Sequence, residues 1–219
     1  MTTNHQPPTT NQSVYSTMAL VDLLDAFASN DPVPGGGSAA ALAGAIGVSL
    51  LIMVAGLPRT RTGAPEEAAD LAAASARLRP LRNALISLVD EDSRAYGAVL
   101  EALRAPKATD TDKVTRRAAI DAAMRRAIDA PMQTMRCCQQ ALRGAVVVAE
   151  NGQSNAATDT AVGVELLLTA LKGAGLNIDV NVRNVSDADY SDRVVMERRQ
   201  LETDGDADVR RARPRLAPS

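Results

Sequence analysis

The chain has few of the side chains that most often carry recognition and catalysis. Its 219 residues include one Phe, three Tyr, no Trp, two Cys and one His. With so few rings for bases to stack on and a net charge of −2, nucleic acid is disfavoured as a partner. The single histidine, His5, lies in a polar N-terminal stretch, which argues against Ser-His-Asp or Cys-His catalysis and against a His-ligated metal. Any chemistry is therefore expected to use carboxylates, amides, arginines and backbone groups, with no metal.

The cysteines and the apolar runs indicate the compartment. Cys137 and Cys138 are adjacent, and because a disulfide between neighbours would be strained, we expect reduced thiols on a helix in a cytoplasmic protein. No basic segment followed by an apolar one is present at the start, so no secretory signal is expected. Residues 39–57 approach membrane-spanning length, but their glycines, serine and many alanines favour a buried central helix over a membrane span.

A proline- and glycine-rich stretch precedes this apolar segment. Two prolines favour an extended approach, the glycines allow close backbone passage, and a serine is placed to cap the following helix. The free N–H groups at such a helix start suit an anion or the polar edge of a ligand, but a glycine turn can also serve only close helix packing. A nucleotide is disfavoured, because neither a Gly-Lys-Ser/Thr ending nor a preceding strand is present. The residues are Pro32, Pro34, Gly35, Gly36, Gly37 and Ser38.

Apolar periodicity predicts an all-α fold, a bundle of long helices in a single domain over residues 17–203. Pro131 is expected to bend or break the fourth helix. Residues 176–182 alternate polar and apolar as a strand would, but no partner strand is predicted, so a turn or helix is expected there. Residues 1–16 and 204–219 are predicted to be disordered tails. The predicted helices cover residues 17–28, 39–57, 65–104, 112–149, 155–174 and 186–203.

Two carboxylates interrupt apolar helix faces. Asp92 occupies an apolar position of a seven-residue repeat in the third predicted helix, and Asp159 lies seven residues before Leu166 on an apolar face. Burial of an unpaired carboxylate costs free energy. Such a carboxylate is therefore either hydrogen-bonded in a structural role, or its pKa is raised for a role in the chemistry of the protein. The pattern leaves both readings of Asp92 open.

Taken together, these motifs resemble the cyclodeaminase/cyclohydrolase family, which includes methenyltetrahydrofolate cyclohydrolases and the C-terminal domain of formiminotransferase-cyclodeaminase. The resemblance covers roughly residues 17–200. It implies a mainly helical, usually dimeric protein that acts on the one-carbon bridge between N5 and N10 of a tetrahydrofolate derivative, with no metal or redox cofactor. The matching motifs are Pro32-x-Pro34-Gly35-Gly36-Gly37-Ser38, Met53-Val54-Ala55, Asp92-x-x-Ala95-Tyr96, Ala130-Pro131, Gly152-x-x-Asn155-x-x-Thr158-Asp159 and Asn177-x-x-x-Asn181.

The resemblance also suggests roles for individual residues. Asp92 would stabilise the amidinium-like methenyl cation and orient or deprotonate the attacking water, and Asp159 would assist it or hold the pterin edge. Amide side chains would form hydrogen bonds to the pterin or to one another. The backbone N–H groups of residues 35–38 would bind a carbonyl or carboxylate of the ligand, and two loop arginines would anchor the glutamate tail. The amides are Asn155, Asn177 and Asn181, and the arginines are Arg59 and Arg61.

The loop after the second predicted helix departs from the family pattern. Gly56 stands where many members have Asn, and Arg61-Thr62-Gly63-Ala64 replaces a Lys-rich run that ends in an aromatic residue. Thr158 replaces a common Ser but keeps the hydroxyl. Three functions follow as alternatives: a methenyltetrahydrofolate cyclohydrolase, a formiminotetrahydrofolate cyclodeaminase, or a non-catalytic homologue that binds folate or assembles. Asp92, Asn155 and Asp159 favour an enzyme, whereas the altered loop favours the non-catalytic alternative.

Overall fold

A computed structural model of the chain describes residues 14–216 as a bundle of α-helices joined by short loops and 3-10 turns. Within these residues no β-strand forms, and the only β-type pairing is an isolated bridge between Thr60 and Gly152. The predicted all-α fold is confirmed. The helices are α1 (Leu20–Ala28), α2 (Gly36–Ala55), α3 (Pro65–Arg104), α4 (Asp110–Asn151), α5 (Ala157–Asn181) and α6 (Ala188–Ala212).

Helix α2 is the central element, and it packs against α3, α4 and α5. Its small residues allow this close approach: a side chain on Gly44 would meet Leu85 of α3 and Cys138 of α4, and one on Gly47 would meet the backbone of α5 at Gly163. The predicted buried central helix is therefore confirmed, although it begins at Gly36 rather than at residue 39.

Helices α3 and α5 run antiparallel to α2, whereas α4 runs parallel to it. Along α2 from residue 47 to residue 36, the contacts on α5 move from Gly163 to Asn177. The contacts on α3 move in the same sense, to Asp92 opposite Gly37. Both α3 and α5 continue past the first residue of α2 at this end of the bundle.

Two local expectations about helices were tested by the structure. Residues 176–181 are helical, as suspected from the missing partner strand: Ile178 is buried, while Leu176 and Val180 are exposed. Pro131 does not break its helix, because α4 continues through it from Asp110 to Asn151.

Cys137 and Cys138 are free and buried, as predicted, and burial raises the pKa of the Cys137 thiol.

The prediction of a disordered C-terminal tail is wrong for most of its residues. Helix α6 extends nine residues past Thr203 to Ala212, and a 3-10 turn follows at Arg213–Arg215. A stripe of small and apolar residues explains this extension: Gly205 lies against Leu171, and Val209 and Ala212 are buried. Most of the predicted N-terminal tail, including His5, lies outside the described residues. Its end is ordered on α3, where the Ser16 hydroxyl donates to the Asp90 carboxylate at 2.5 Å.

Two helical stretches of the described chain, Gly36–Ala55 and Ser154–Asn184, are long and apolar enough to cross a membrane. Core helices of bundles meet the same criterion, and 56% and 44% of these windows are buried against the rest of the protein. The absence of a membrane partner stays a prediction.

Candidate functional site

The start of α2 is held by a carboxylate from another helix. Asp92 of α3 accepts a hydrogen bond from the Ser38 backbone N–H, with 2.9 Å between N and Oδ2. A Cβ atom at Gly37 would overlap this carboxylate, so glycine is required for the close approach. The N-cap residue, Gly35, offers no side chain, and Ser38 does not cap the helix as the sequence predicted, because it lies inside the first turn. Asp92 takes over the capping role from outside the helix.

The Ser38 hydroxyl supports the same carboxylate from a fully buried position. Its Oγ lies 2.8 Å from the Val89 carbonyl oxygen, 3.2 Å from Asp92 Oδ2 and 3.0 Å from Ser93 Oγ. The single hydroxyl proton of Ser38 cannot donate fully to both the Val89 carbonyl and Asp92, so the hydroxyl is placed to turn toward Asp92 when that carboxyl is ionised. Sequence reasoning missed Ser93, although its position next to Asp92 on a core-facing turn was a usable signal.

Burial raises the pKa of Asp92, and hydrogen bonds from the Ser38 hydroxyl and backbone N–H partly offset this rise. In the described part of the chain, Asp92 forms no ion pair. A partly buried carboxylate that has donors but no cationic partner is suited to a cationic ligand. Both interpretations of Asp92 that the sequence left open therefore apply: its carboxylate forms structural hydrogen bonds, and its pKa is raised.

Two asparagines of α5 lie at the same end of the bundle. Asn177 lies against Gly36, and its Nδ2 donates to the Gly173 carbonyl at 2.9 Å. Asn181 Nδ2 donates to the Ala127 carbonyl of α4 at 2.8 Å. These bonds orient both amides, whose carbonyl oxygens then remain as acceptors for a ligand donor.

An aromatic side chain follows Asp92 on α3. Tyr96 lies one turn after Asp92 on α3 and is 42% exposed. Sequence reasoning included it in a motif but gave it no role. We call Asp92, Tyr96, Asn177, Asn181 and residues 35–38 the amino-terminal cluster, after the end of α2 at which they lie.

The other predicted site residues lie at the opposite end of α2. Arg59 and Asn155 are exposed and Asp159 is partly buried. Arg61 Nη2 donates to the carbonyls of Ala149 at 2.7 Å and Arg215 at 3.2 Å. The Ala149 carbonyl belongs to the last turn of α4, where no helical donor remains, so Arg61 caps this helix end. We call Arg59, Arg61, Asn155 and Asp159 the carboxy-terminal cluster.

The two clusters are far apart within one chain. Helix α2 has 20 residues, which corresponds to about 30 Å at the rise of an α-helix. Asp159 lies one turn before Gly163, which packs near Leu51, whereas Asp92 packs at Gly37. The structure therefore brings together Asp92, Asn177, Asn181 and the glycine stretch, but leaves Asp159, Asn155 and the loop arginines at the other end.

The fold and the amino-terminal cluster define a class: a helical bundle in which a carboxylate caps a central glycine-rich helix. Residues 19–200 match the family described as formiminotransferase-cyclodeaminase. The chain belongs to this family, which confirms the resemblance found in the sequence.

The relatives are named for two different activities. A methenyltetrahydrofolate cyclohydrolase of Methylorubrum extorquens is 36% identical over 174 residues, which cover 80% of this chain and 84% of that protein. A formimidoyltransferase-cyclodeaminase of Mus musculus is 30% identical over 164 residues, 73% of this chain and 30% of that longer protein. The crystal structure of a formiminotetrahydrofolate cyclodeaminase from Thermotoga maritima shares the fold, with a TM-score of 0.81 at 22% identity, over 91% of this chain and 96% of that one.

Proposed function

We propose that this protein is a methenyltetrahydrofolate cyclohydrolase, which converts 5,10-methenyltetrahydrofolate to 10-formyltetrahydrofolate. The observation that carries the proposal is the Asp92 carboxylate, fixed at the start of α2 and without a cationic partner in the described chain. The methenyl bridge is a delocalised cation, so the substrate itself would supply the missing positive charge. The Methylorubrum relative, which aligns with most of both chains, supports the same activity.

The proposed reaction adds one water to the bridge carbon. Asp92 accepts a proton from the water as its oxygen bonds to that carbon, and the cation becomes a neutral tetrahedral adduct. The bond from this carbon to N5 then breaks and leaves the formyl group on N10. Of the two water protons, one ends on N5 and the other is released to solvent.

Burial suits Asp92 to this role. A carboxylate with a raised pKa is a stronger base, and the hydroxyl of Ser38 would follow its changes of charge. Asn177 and Asn181 would hold polar edges of the pterin through their carbonyl oxygens, and the exposed ring of Tyr96 lies one turn along α3 from Asp92. Because the reaction only adds water and moves protons, the proposal includes no metal or redox cofactor. The adjacent free thiols support a cytoplasmic location.

The proposal includes a homodimer formed through α2 and α5. Both helices expose apolar side chains along one side: Ile46 and Met53 on α2, and Val162, Leu176 and Val180 on α5. Exposed apolar side chains along two packed helices are typical of an interface. A two-fold axis perpendicular to α2 would set two copies of this helix antiparallel. The amino-terminal cluster of one protomer would then lie near the carboxy-terminal cluster of its partner, which would reunite the predicted site residues.

Mixing two inactive variants tests this arrangement. Asp92→Asn and Asp159→Asn each inactivate both sites of a homodimer if each site uses one residue from each protomer. A mixed dimer would keep one intact site, so random exchange should restore about a quarter of wild-type activity. The mass in solution, from light scattering, must show a dimer. A monomer, or no recovery in verified mixed dimers, would contradict the shared site.

Loss of the near-ultraviolet absorbance of methenyltetrahydrofolate tests the activity. The wild-type protein should accelerate this loss over buffer, and Asp92→Asn should lower kcat about 10²–10⁴-fold. Glu91→Gln is the matched control, because Glu91 is an exposed carboxylate next to Asp92. No acceleration by the wild type would overturn the cyclohydrolase proposal.

A cyclodeaminase is the second candidate, because the chain's family includes proteins of that name. Parallel assays with formiminotetrahydrofolate, read out as released ammonia, separate the two enzymes. Absence of both activities in a folded protein that binds folate would identify a non-catalytic homologue.

A further inference from the structure

A pair of buried serine hydroxyls lies behind the Asp92 carboxylate. Ser38 is fully buried on α2, and Ser93 of α3 is 7% exposed. Their Oγ atoms lie 3.0 Å apart, and within residues 14–216 the Ser93 hydroxyl has no other hydrogen-bond partner. The proposed reaction uses Ser38 but gives no role to Ser93.

The direction of the bond between the two serines follows from their protons. Each hydroxyl has one proton to donate and two lone pairs that accept. Among the described residues, the Ser93 proton has no acceptor other than Ser38 Oγ, and a buried donor without an acceptor costs free energy. Ser93 therefore donates to Ser38, and the Ser38 proton stays free for the Val89 carbonyl or for Asp92.

The two acceptors of the Ser38 proton differ in what they lose without it. The Val89 carbonyl lies inside α3, four residues before Ser93, so it also accepts the backbone N–H of Ser93 in the helix. Asp92 is negatively charged whenever its carboxyl is ionised, and hydrogen bonds to charged acceptors are the stronger ones. The Ser38 proton is therefore expected on Asp92 in the ionised state and on Val89 in the protonated state.

We propose that Ser93 is a positioning residue for the proposed reaction: it donates to Ser38 and so strengthens the bond from the Ser38 hydroxyl to the ionised Asp92 carboxylate. In a chain of hydrogen bonds, a hydroxyl that accepts one bond is polarised and donates the next one more strongly. Ser93 thus acts on Asp92 only through Ser38. The inference rests on the proposed function for its effect on catalysis, but its effect on the protonation of Asp92 is independent of that function.

Removal of the Ser93 hydroxyl should shift the protonation of Asp92 in one direction. Burial raises the pKa of Asp92, and the Ser38 hydroxyl is the first of the two donors that lower it. A weaker bond from Ser38 opposes the effect of burial less, so the pKa of Asp92 rises in Ser93→Ala. Because the proposed reaction needs the ionised carboxylate, the acidic limb of the activity profile then moves to higher pH.

Other charged groups at this end of the bundle are either engaged or exposed. The sequence of α2 contains no titratable residue. Asp90 of α3 accepts a hydroxyl proton from the 3-10 turn Tyr15–Thr17, whose tyrosine donates to the Val33 carbonyl. Asp179 of α5 pairs with Arg198 at 3.0 Å. The titratable side chains of α3 and α4 that border this region are exposed, and they are Glu91, Arg94, Tyr96, Arg126 and Asp129.

The pH profile of kcat/KM tests the role of Ser93. On the acidic limb, Ser93→Ala should lose about three- to tenfold relative to the wild type, the size expected for one hydrogen bond, whereas the plateau at higher pH should not fall. Ser75→Ala is the matched control, because Ser75 is a serine of the same helix that is only 9% exposed, and it should keep the wild-type profile. A purely structural role would lower activity at every pH. A uniform loss, or an unchanged acidic limb, would therefore overturn the proposal.

NMR of labelled aspartate carboxyl carbons separates this inference from the proposed activity. The Asp92 resonance, assigned by its absence in Asp92→Asn, is followed through a pH titration without substrate. It should titrate at a higher pH in Ser93→Ala than in the wild type, and at the wild-type pH in Ser75→Ala. This result in a protein without cyclohydrolase activity would support the role of Ser93 at Asp92 while the proposed function fails. Identical titration of Asp92 in the wild type and in Ser93→Ala would overturn the inference.

Discussion

The two ends of α2 are stabilised by different chemistry. At its start, the Asp92 carboxylate of α3 accepts from the Ser38 backbone N–H, the buried Ser38 hydroxyl donates to the Val89 carbonyl of α3, and the amides of α5 lie beside them. At its end, Gly56 closes the helix through its own backbone, and the following loop turns to α4, where the Arg61 side chain binds the Ala149 carbonyl. A carboxylate thus caps the start of α2, whereas an arginine caps the neighbouring end of α4.

This difference separates structural from chemical roles. Asp92 caps a helix and keeps a raised pKa, so one group contributes to both the fold and the proposed reaction. Arg61 stabilises the backbone with its guanidinium donors, so its role in substrate binding stays a prediction. We therefore expect substitutions at the start of α2 to affect activity most and those at its end to affect mainly stability.

Gly37→Ala should have the largest effect. The new Cβ would overlap the Asp92 carboxylate and displace it, so activity should fall about as far as in Asp92→Asn, 10²–10⁴-fold. The Ser38 N–H would lose its acceptor, at a cost of about 1–3 kcal/mol in unfolding free energy. Assays and denaturant titrations measure both effects.

Gly97→Ala is the control, because a Cβ there would meet nothing within 4 Å. It should keep activity and gain up to about 1 kcal/mol from the better helix propensity of alanine. If Gly37→Ala retained full activity, the role of Asp92 at the start of α2 would be contradicted.

Asp92→Asn should separate activity from stability. Because burial raises the pKa of Asp92 in the folded state, that state holds the proton more tightly than the unfolded chain does. Stability is therefore lost in the wild type as pH rises from the unfolded value, about 3.9, through the raised folded value. The variant cannot ionise there, so its unfolding free energy should gain on the wild type across this window and stay level above it. Urea titrations across pH measure the difference, and an unfolding free energy of the variant that falls relative to that of the wild type as pH rises would contradict the raised pKa.

The sequence was sufficient for the fold but not for the arrangement of the site. Apolar periodicity identified every long helix, and Asp92 was recognisable as a charge in an apolar position. The end of α6 was missed, because its buried stripe consists of Gly205, Val209 and Ala212 among charged residues, and the hydrophobic signal is weak. The separation of Asp159 from Asp92 depends on the antiparallel packing of α2 and α5, which periodicity within each helix does not specify.

Arg61→Gln tests the carboxy-terminal end, and its effect should be on stability. Glutamine is too short to replace the donor at both carbonyls, so the end of α4 should lose about 1–2 kcal/mol of stability. Denaturant titration and hydrogen exchange at residues 148–152 measure this loss. Unchanged protection of these amides would contradict the capping role.

Arg59→Gln, two residues away, should have the smallest effect. Arg59 is exposed and has no ion pair within the described residues, so its loss should change stability by less than about 0.5 kcal/mol. In the proposed dimer this loop lies near the partner's amino-terminal cluster, so the KM for methenyltetrahydrofolate should rise about threefold at constant kcat, as expected for one exposed charge contact. An unchanged KM would contradict the predicted role of Arg59 as a tail anchor. The proposed site would then be confined to the start of α2, where the same chain supplies Asp92 and both asparagines.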